Sequence, residues 1–160
     1  MKKAIVFESL SGNTKLLAEA VQGALGEVDY FGGPSDEALT KDALYLGFWT
    51  DKGSCTPGMA KFMQDLHGKD IFLFVTAGFG GDSAYFEQIL ARVKENLPED
   101  NKVIGSFMCQ GKMPQSVRAR YEKMAEDPAM KEKMTMMIQN FDKALAHPNE
   151  EDVANLVKAL

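Results

Sequence analysis

The sequence predicts an α/β protein: one domain built on a doubly wound, five-stranded parallel sheet, with extra helices at its C-terminal end. Short apolar runs alternate along the chain with segments whose apolar residues recur at helical spacing. The run at 71–75 is apolar at every position, as a central parallel strand buried on both faces must be. At 160 residues the chain is long enough for one well-buried core and short for two. Its 45% hydrophobic and 26% charged residues are those of an ordinary globular protein.

The first strand covers residues 3–7, and a helix over 14–25 follows with Leu17, Ala20, Val21, Ala24 and Leu25 on one face. The second strand is expected at 27–31, where Val28 and Tyr30 alternate ahead of the breaker Gly32-Gly33-Pro34. Residues 43–48 form the third. Pro57 opens a helix with Met59, Phe62, Met63 and Leu66 on its buried face, ended by Gly68. The fourth strand covers 71–76. Asp82 has the chemistry of an N-cap for a helix carrying Phe86, Ile89, Leu90, Val93 and Leu97, closed by Pro98. The fifth strand covers 102–109. Beyond it the chain turns helical and methionine-rich, with helices over 115–126, 129–146 and 150–160, the last capped by Asn149 and presenting Val153, Leu156, Val157 and Leu160. One helix suffices to cover the fifth strand, so this end carries surplus. Met130, Met134, Met137 and Phe141 follow helical spacing, which reads as packed core before it reads as a partner-binding stripe.

A net charge of −5 argues against a nucleic-acid partner, whose phosphates need a basic surface, and is compatible with docking to a basic protein face. No apolar run approaches the roughly 20 residues of a membrane helix, so no membrane association is expected. Met1-Lys2-Lys3 has the charge of a signal peptide, but the apolar stretch after it stops at Glu8 and is better used as a strand. Cys55 and Cys109 make no disulfide framework, which fits a reducing, cytoplasmic setting. A redox pair between them is disfavoured because the fourth strand separates their strands. His67 reads as a helix terminus and His147 as a turn, neither with the neighbours of a metal site.

Ligands of open parallel sheets bind beyond the C-terminal strand ends, and here the loops at those ends hold an unusual set. After the first strand comes Ser9-Leu10-Ser11-Gly12-Asn13-Thr14, leading into a helix whose unpaired N–H groups and dipole suit a phosphate. Its hydroxyl and amide side chains add donors without charge. An ordinary N-cap would use the same residue types. After the third strand comes Trp49-Thr50 with Lys52 and Gly53, and after the fourth Thr76-Ala77-Gly78-Phe79-Gly80, running on to Tyr85. Gly111 and Lys112 follow the fifth. Glycine lets backbone approach a ligand closely, and aromatic rings offer flat apolar faces. A phosphate cradle flanked by two such loops suits a flat, phosphorylated ring system. Each aromatic also has a plainer reading: Trp49 as core, Phe79 as a plug of the sheet end, Tyr85 as a surface tyrosine on a first helical turn. Lys15 reads as solvated.

With these loops the chain resembles a flavodoxin over about residues 3–110. Ser9–Thr14 is similar to the family's hydroxyl-rich phosphate loop, and Gly81-Asp82-Ser83-Ala84-Tyr85 to its Gly-Asp-Ser-x-Tyr loop, whose tyrosine stacks on the flavin. The resemblance implies strand order 2-1-3-4-5 and FMN at the switch point. It implies cofactor contacts at Ser9, Leu10, Ser11, Gly12, Asn13 and Thr14 for the phosphate, and at Trp49, Thr50, Thr76, Ala77, Gly78, Phe79, Gly80, Tyr85 and Lys112 around the ring. It departs at Leu10, where a hydroxyl is usual, and at Trp49, which follows Gly47 by fewer residues than the family pattern. Residues 47–53 with 109–114 also resemble a subgroup of small flavodoxin-like proteins that accompany bilirubin reductase in gut bacteria.

The implied role is an electron carrier between a reductase and an acceptor enzyme. The main alternative on the same scaffold is an NAD(P)H-dependent FMN oxidoreductase of the quinone or flavin reductase type. A phosphorylated receiver domain would need an acceptor aspartate where the third strand ends in Phe48-Trp49, and no P-loop, dinucleotide fingerprint or hydrolase constellation is present. Acidic residues are thin around the implied ring, while Lys52 and Lys112 border it. A cation about 6 Å from an anionic ring, at an effective dielectric near 20, is worth roughly 3 kcal/mol before screening. The lower flavin couple is therefore expected above that of an acidic flavodoxin.

Overall fold

The computed structural model describes residues 1–80 and 83–160; the expected cap Asp82 and its neighbour Gly81 lie outside them. The strands are β1 (Lys3–Phe7), β2 (Tyr30–Gly32), β3 (Ala43–Trp49), β4 (Asp70–Ala77) and β5 (Lys102–Gln110). They form a single parallel sheet in the order β2-β1-β3-β4-β5, as expected. The helices are α1 (Asn13–Leu25), α2 (Pro57–Gln64), α3 (Ser83–Lys94), α4 (Gln115–Met124), α5 (Lys131–Ala144) and α6 (Glu150–Ala159). No helix among the described residues is long and apolar enough to cross a membrane.

Side chains alternate across a strand, so the central strands feed two cores. Ala4, Val6, Leu44, Leu46, Leu73 and Val75 meet Met59, Phe62 and Met63 of α2 and Ile89 and Val93 of α3. Ile5, Tyr45, Phe72 and Phe74 meet Leu17, Ala18 and Val21 of α1 and Leu156 of α6 on the other side. Cys55 belongs to the first core and Cys109 to the second, so the sheet itself separates the two thiols.

Several boundaries differ from the sequence reading. β2 is three residues long and begins later than expected. Gly26 takes a positive φ, and the chain joins β1 only where the Asp29 N–H reaches the Lys3 carbonyl at 2.8 Å and the Asp29 carboxylate accepts from the Lys3 N–H. A 3-10 turn at Ala38–Thr40, unmarked in the sequence, buries Ala38 under the sheet. α3 ends at Lys94, short of Pro98, and the chain reaches the proline through successive turns.

The surplus at the C-terminal end resolves into two parts. α6 packs against β5 and α1 and is the helix that covers the edge strand. Asn149 caps it in a full capping box, accepting from the Asp152 N–H while the Asp152 carboxylate accepts from the Asn149 N–H. α4 and α5 pack on each other as a helical hairpin inserted between β5 and its covering helix. Tyr121, Met134, Phe141 and Ala144 are buried there and belong to neither sheet core, while Met130 and Met137 are only half-buried, so the methionine-bearing face is packed interior at Met134 and Phe141.

Candidate functional site

The C-terminal edge of the sheet carries a cavity of about 430 Å³, within the range of small-molecule sites. Its walls come from every loop the sequence singled out. Leu10, Ser11, Asn13 and Thr14 form one side, and Trp49, Thr50, Lys52 and Gly53 the next. Thr76, Ala77, Gly78, Phe79 and Tyr85 stand opposite, and the segment Gly111–Pro114 closes the ring. Ser9, Gly12 and Gly80 of the expected set do not line it, and Gly12 faces a second cavity instead.

The first loop is built for an anion. Gly12 is the N-cap of α1 at φ 92, a left-handed conformation favouring glycine, and no side chain caps the helix from that position. Ser9, set back in the loop, accepts from the Lys15 N–H at 3.2 Å. The donors ahead of Lys15 are left at the cavity, at the positive end of the helix. Ser11, Asn13 and Thr14 therefore do not act as ordinary N-caps. Thr14 is buried and its hydroxyl lies 3.5 Å from that of Thr76, tying α1 to the end of β4.

Asn13 is buried too. Its Nδ2 donates to the Lys112 carbonyl at 2.8 Å, a contact possible because residue 111 is glycine: a Cβ there would lie 2.6 Å from that nitrogen. Its Oδ1 has no protein partner. A buried acceptor left empty costs about 1–3 kcal/mol, so the site asks for a hydroxyl or N–H donor at this point.

The loop after β3 is a miniature hairpin. Asp51 and Ser54 exchange both backbone hydrogen bonds, and Lys52 and Gly53 take positive φ values of 50 and 80, as a type I′ turn requires. Thr50 spends its hydroxyl on the Thr76 carbonyl at 2.9 Å, bracing this loop on β4. Arg92 of α3 lies against Gly53, where a Cβ would meet its guanidinium at 2.5 Å. At the root of the loop Thr56 caps α2 and donates to the Glu8 carboxylate. Glu8 is thus committed to structure.

A model of the flavodoxin domain family matches residues 4–160. The chain belongs to that family. Two flavodoxin-like domain-containing proteins named BilS are similar along nearly its whole length. The one from Clostridium symbiosum (strain WAL-14163) is 41% identical over 173 residues, covering 96% of this chain and 91% of the relative. The one from Clostridioides difficile (strain CD3) is 31% identical over 163 residues, covering 96% and 90%. Among solved structures, oxidised Flavodoxin 2 from Bacillus cereus superposes with a TM-score of 0.55 at 18% identity, covering 99% of this chain and 94% of that one, a likeness of fold.

The flavodoxin's own residues fit a flavin mononucleotide. The neutral donors at the α1 terminus suit its phosphate, and a ribityl hydroxyl would supply the donor that Asn13 Oδ1 lacks. Trp49, Phe79 and Tyr85 line the same cavity and offer flat apolar faces to a ring. Among the described lining residues the titratable ones are Lys52, Lys112 and Tyr85, and no cluster of three or more potential metal ligands occurs among the described residues.

The sequence did not point to two contributors. Behind the phosphate loop lies a second cavity of about 220 Å³ lined in part by His147 and Leu145. The His147 carbonyl accepts from the Lys112 N–H at 2.9 Å, and its ring Nδ1 lies 2.7 Å from the Asp152 carboxylate. The other contributor is Asn140 on α5. Asn140 comes from α5 and His147 from the turn between α5 and α6, where no motif marks them.

Proposed function

We propose that this flavodoxin binds FMN non-covalently in the 430 Å³ cavity and carries electrons between a reductase and an acceptor enzyme. The observation that carries this reading is the convergence of an uncapped helix N-terminus, an orphaned buried Asn13 Oδ1 and aromatic-bearing loops around one cavity. FMN, when bound, supplies one- and two-electron chemistry; the protein's task is to hold, orient and tune it. The described lining residues include no carboxylate, histidine or cysteine to act on a substrate, which favours a carrier over an oxidoreductase. The resemblance to proteins that accompany bilirubin reductase makes a bilirubin-reducing enzyme the acceptor to test first.

The experiment is a flavin titration of the apoprotein followed by reduction. FMN binds at least tenfold more tightly than riboflavin, because the phosphate meets charge-complementary donors. Ser11→Asp, at an exposed position on the loop, weakens FMN and leaves riboflavin unchanged. Equal affinity for the two flavins overturns the assignment. NADPH alone leaves the yellow protein oxidised while dithionite bleaches it. Rapid bleaching by NADPH replaces the carrier with an NAD(P)H-dependent FMN oxidoreductase.

A further inference from the structure

Among the described residues, the inserted helical hairpin reaches the site through the Asn140 side chain. Asn140 of α5 donates from Nδ2 to the Gly78 carbonyl at 3.0 Å, across 62 residues of sequence. Its Oδ1 accepts from Gln110 Nε2 at 3.1 Å. Gln110, the last residue of β5, donates to the same Gly78 carbonyl at 3.3 Å. The three groups close a triangle in which Gln110 spends its two amide hydrogens on Asn140 Oδ1 and the Gly78 carbonyl, and that carbonyl accepts from Asn140 as well. The loop they hold has little slack. A Cβ at Gly78 would lie 2.6 Å from Met113 Sδ, and one at Gly80 would lie 2.3 Å from Gln110 Cγ.

A trans peptide carries its carbonyl and the following N–H on opposite edges. Gly78 and Phe79 line the ligand cavity, whereas Asn140 and Gln110, which hold the Gly78 carbonyl, do not. Fixing the Gly78 carbonyl on the α5 side therefore turns the Phe79 N–H towards the cavity. We propose that Asn140 is a positioning residue that locks the Gly78–Phe79 peptide, so that the Phe79 N–H is presented to the flavin ring as a fixed donor. This rests on the FMN reading above. A donor aimed at a ring that gains electrons binds the reduced flavin better than the oxidised one. The α4–α5 hairpin is then part of the flavin site, acting through the loop it clamps.

The test uses Asn140→Ala, which removes both bonds, and Asn140→Asp, which keeps the acceptor for Gln110 and loses the donor to Gly78. The NMR order parameter of the Phe79 amide in the apoprotein falls in either variant, from about 0.85 towards about 0.6. FMN and riboflavin affinities fall by the same factor, about five- to tenfold, with the larger loss for the reduced flavin. The shared factor assigns the effect to the ring end. Asp142→Asn breaks the hairpin's ion pair with Arg118 instead and leaves all these values unchanged. An unchanged Phe79 order parameter, unchanged flavin affinity, or an equal effect from Asp142→Asn each overturns the proposal. Failure of the wild-type protein to bind FMN overturns the functional reading instead, and the order parameter still decides the clamp. If Asn140→Ala does not fold, Asn140→Asp alone carries both readouts.

Discussion

Lys112 shows how one residue's backbone and side chain are given different tasks. Its carbonyl accepts from Asn13 and its N–H donates to the His147 carbonyl, so the main chain ties the phosphate loop to the α5–α6 turn. Its side chain is exposed and lines the cavity. A cation about 6 Å from a ring anion is worth about 3 kcal/mol at an effective dielectric of 20 but only about 0.7 kcal/mol in water-like surroundings. Exposure places Lys112 near the lower figure, so the effect expected from the sequence shrinks to about 30 mV. Lys112→Gln should lower the more negative of the two flavin potentials by tens of millivolts, read by potentiometry. An unchanged potential would make Lys112 a solvated loop lysine. Because the backbone bonds survive the substitution, FMN affinity of the oxidised protein stays close to wild type.

At the scale of elements, β3 depends on having no side chain at one point. A Cβ on Gly47 would lie 2.1 Å from the Phe74 ring on neighbouring β4, and that ring is fully buried. The Gly47 carbonyl also accepts from the Glu8 N–H at 3.0 Å, where the chain leaves β1 for the phosphate loop. Gly47→Ala must push the ring or separate two central strands, an overpacking change that costs about 1–3 kcal/mol. For a chain of this size each kcal/mol lowers Tm by about 2–4 °C, measurable by thermal melting. Bound FMN should also weaken, since strands that separate here move the Ser9–Thr14 loop against Thr76. A Tm within one degree of wild type would show that Phe74 repacks freely.

Over the whole molecule, the two cores leave a pH signature. Burial, with the Asp152 charge behind it, pushes the Cys109 thiol from 9.0 up to about 12. Burial raises Cys55 and Tyr45 as well, so all three shift in the same direction. Between pH 9 and 12 the unfolded chain releases a Cys109 proton that the folded chain keeps. This contribution is fully present below pH 9 and is lost as pH rises from about 9 towards about 12. Chemical denaturation at pH 8 and pH 10.5 should therefore show a fall in stability that is smaller in Cys109→Ala. Cys109→Ala carries a constant cavity cost at both pH values, so the difference between the proteins isolates the thiol. Equal pH slopes would refute this. The native thiols should also resist alkylation at pH 8, as buried neutral groups do.

The central strands, α1 and the loops at the strand ends were legible because their signals are local, whereas the strand order came from the resemblance to flavodoxins. The apolar run at the core of β4, the periodicity of α1 and the glycine and hydroxyl spacing of Ser9–Thr14 each report their own backbone. β2 departs from its sequence pattern because a three-residue strand is placed by Asp29 reaching β1. The type I′ turn at Lys52-Gly53 was not read because lysine is an uncommon left-handed residue, held here by the Asp51–Ser54 pairing. Only the tertiary structure showed that α6 covers β5 and that α4–α5 is the insertion, since three amphipathic helices look alike until their faces find partners. The roles of Asn140 and His147 were also decided there. Each acts through a hydrogen bond to a residue dozens of positions away, and such a bond leaves no period, motif or composition in the chain that makes it.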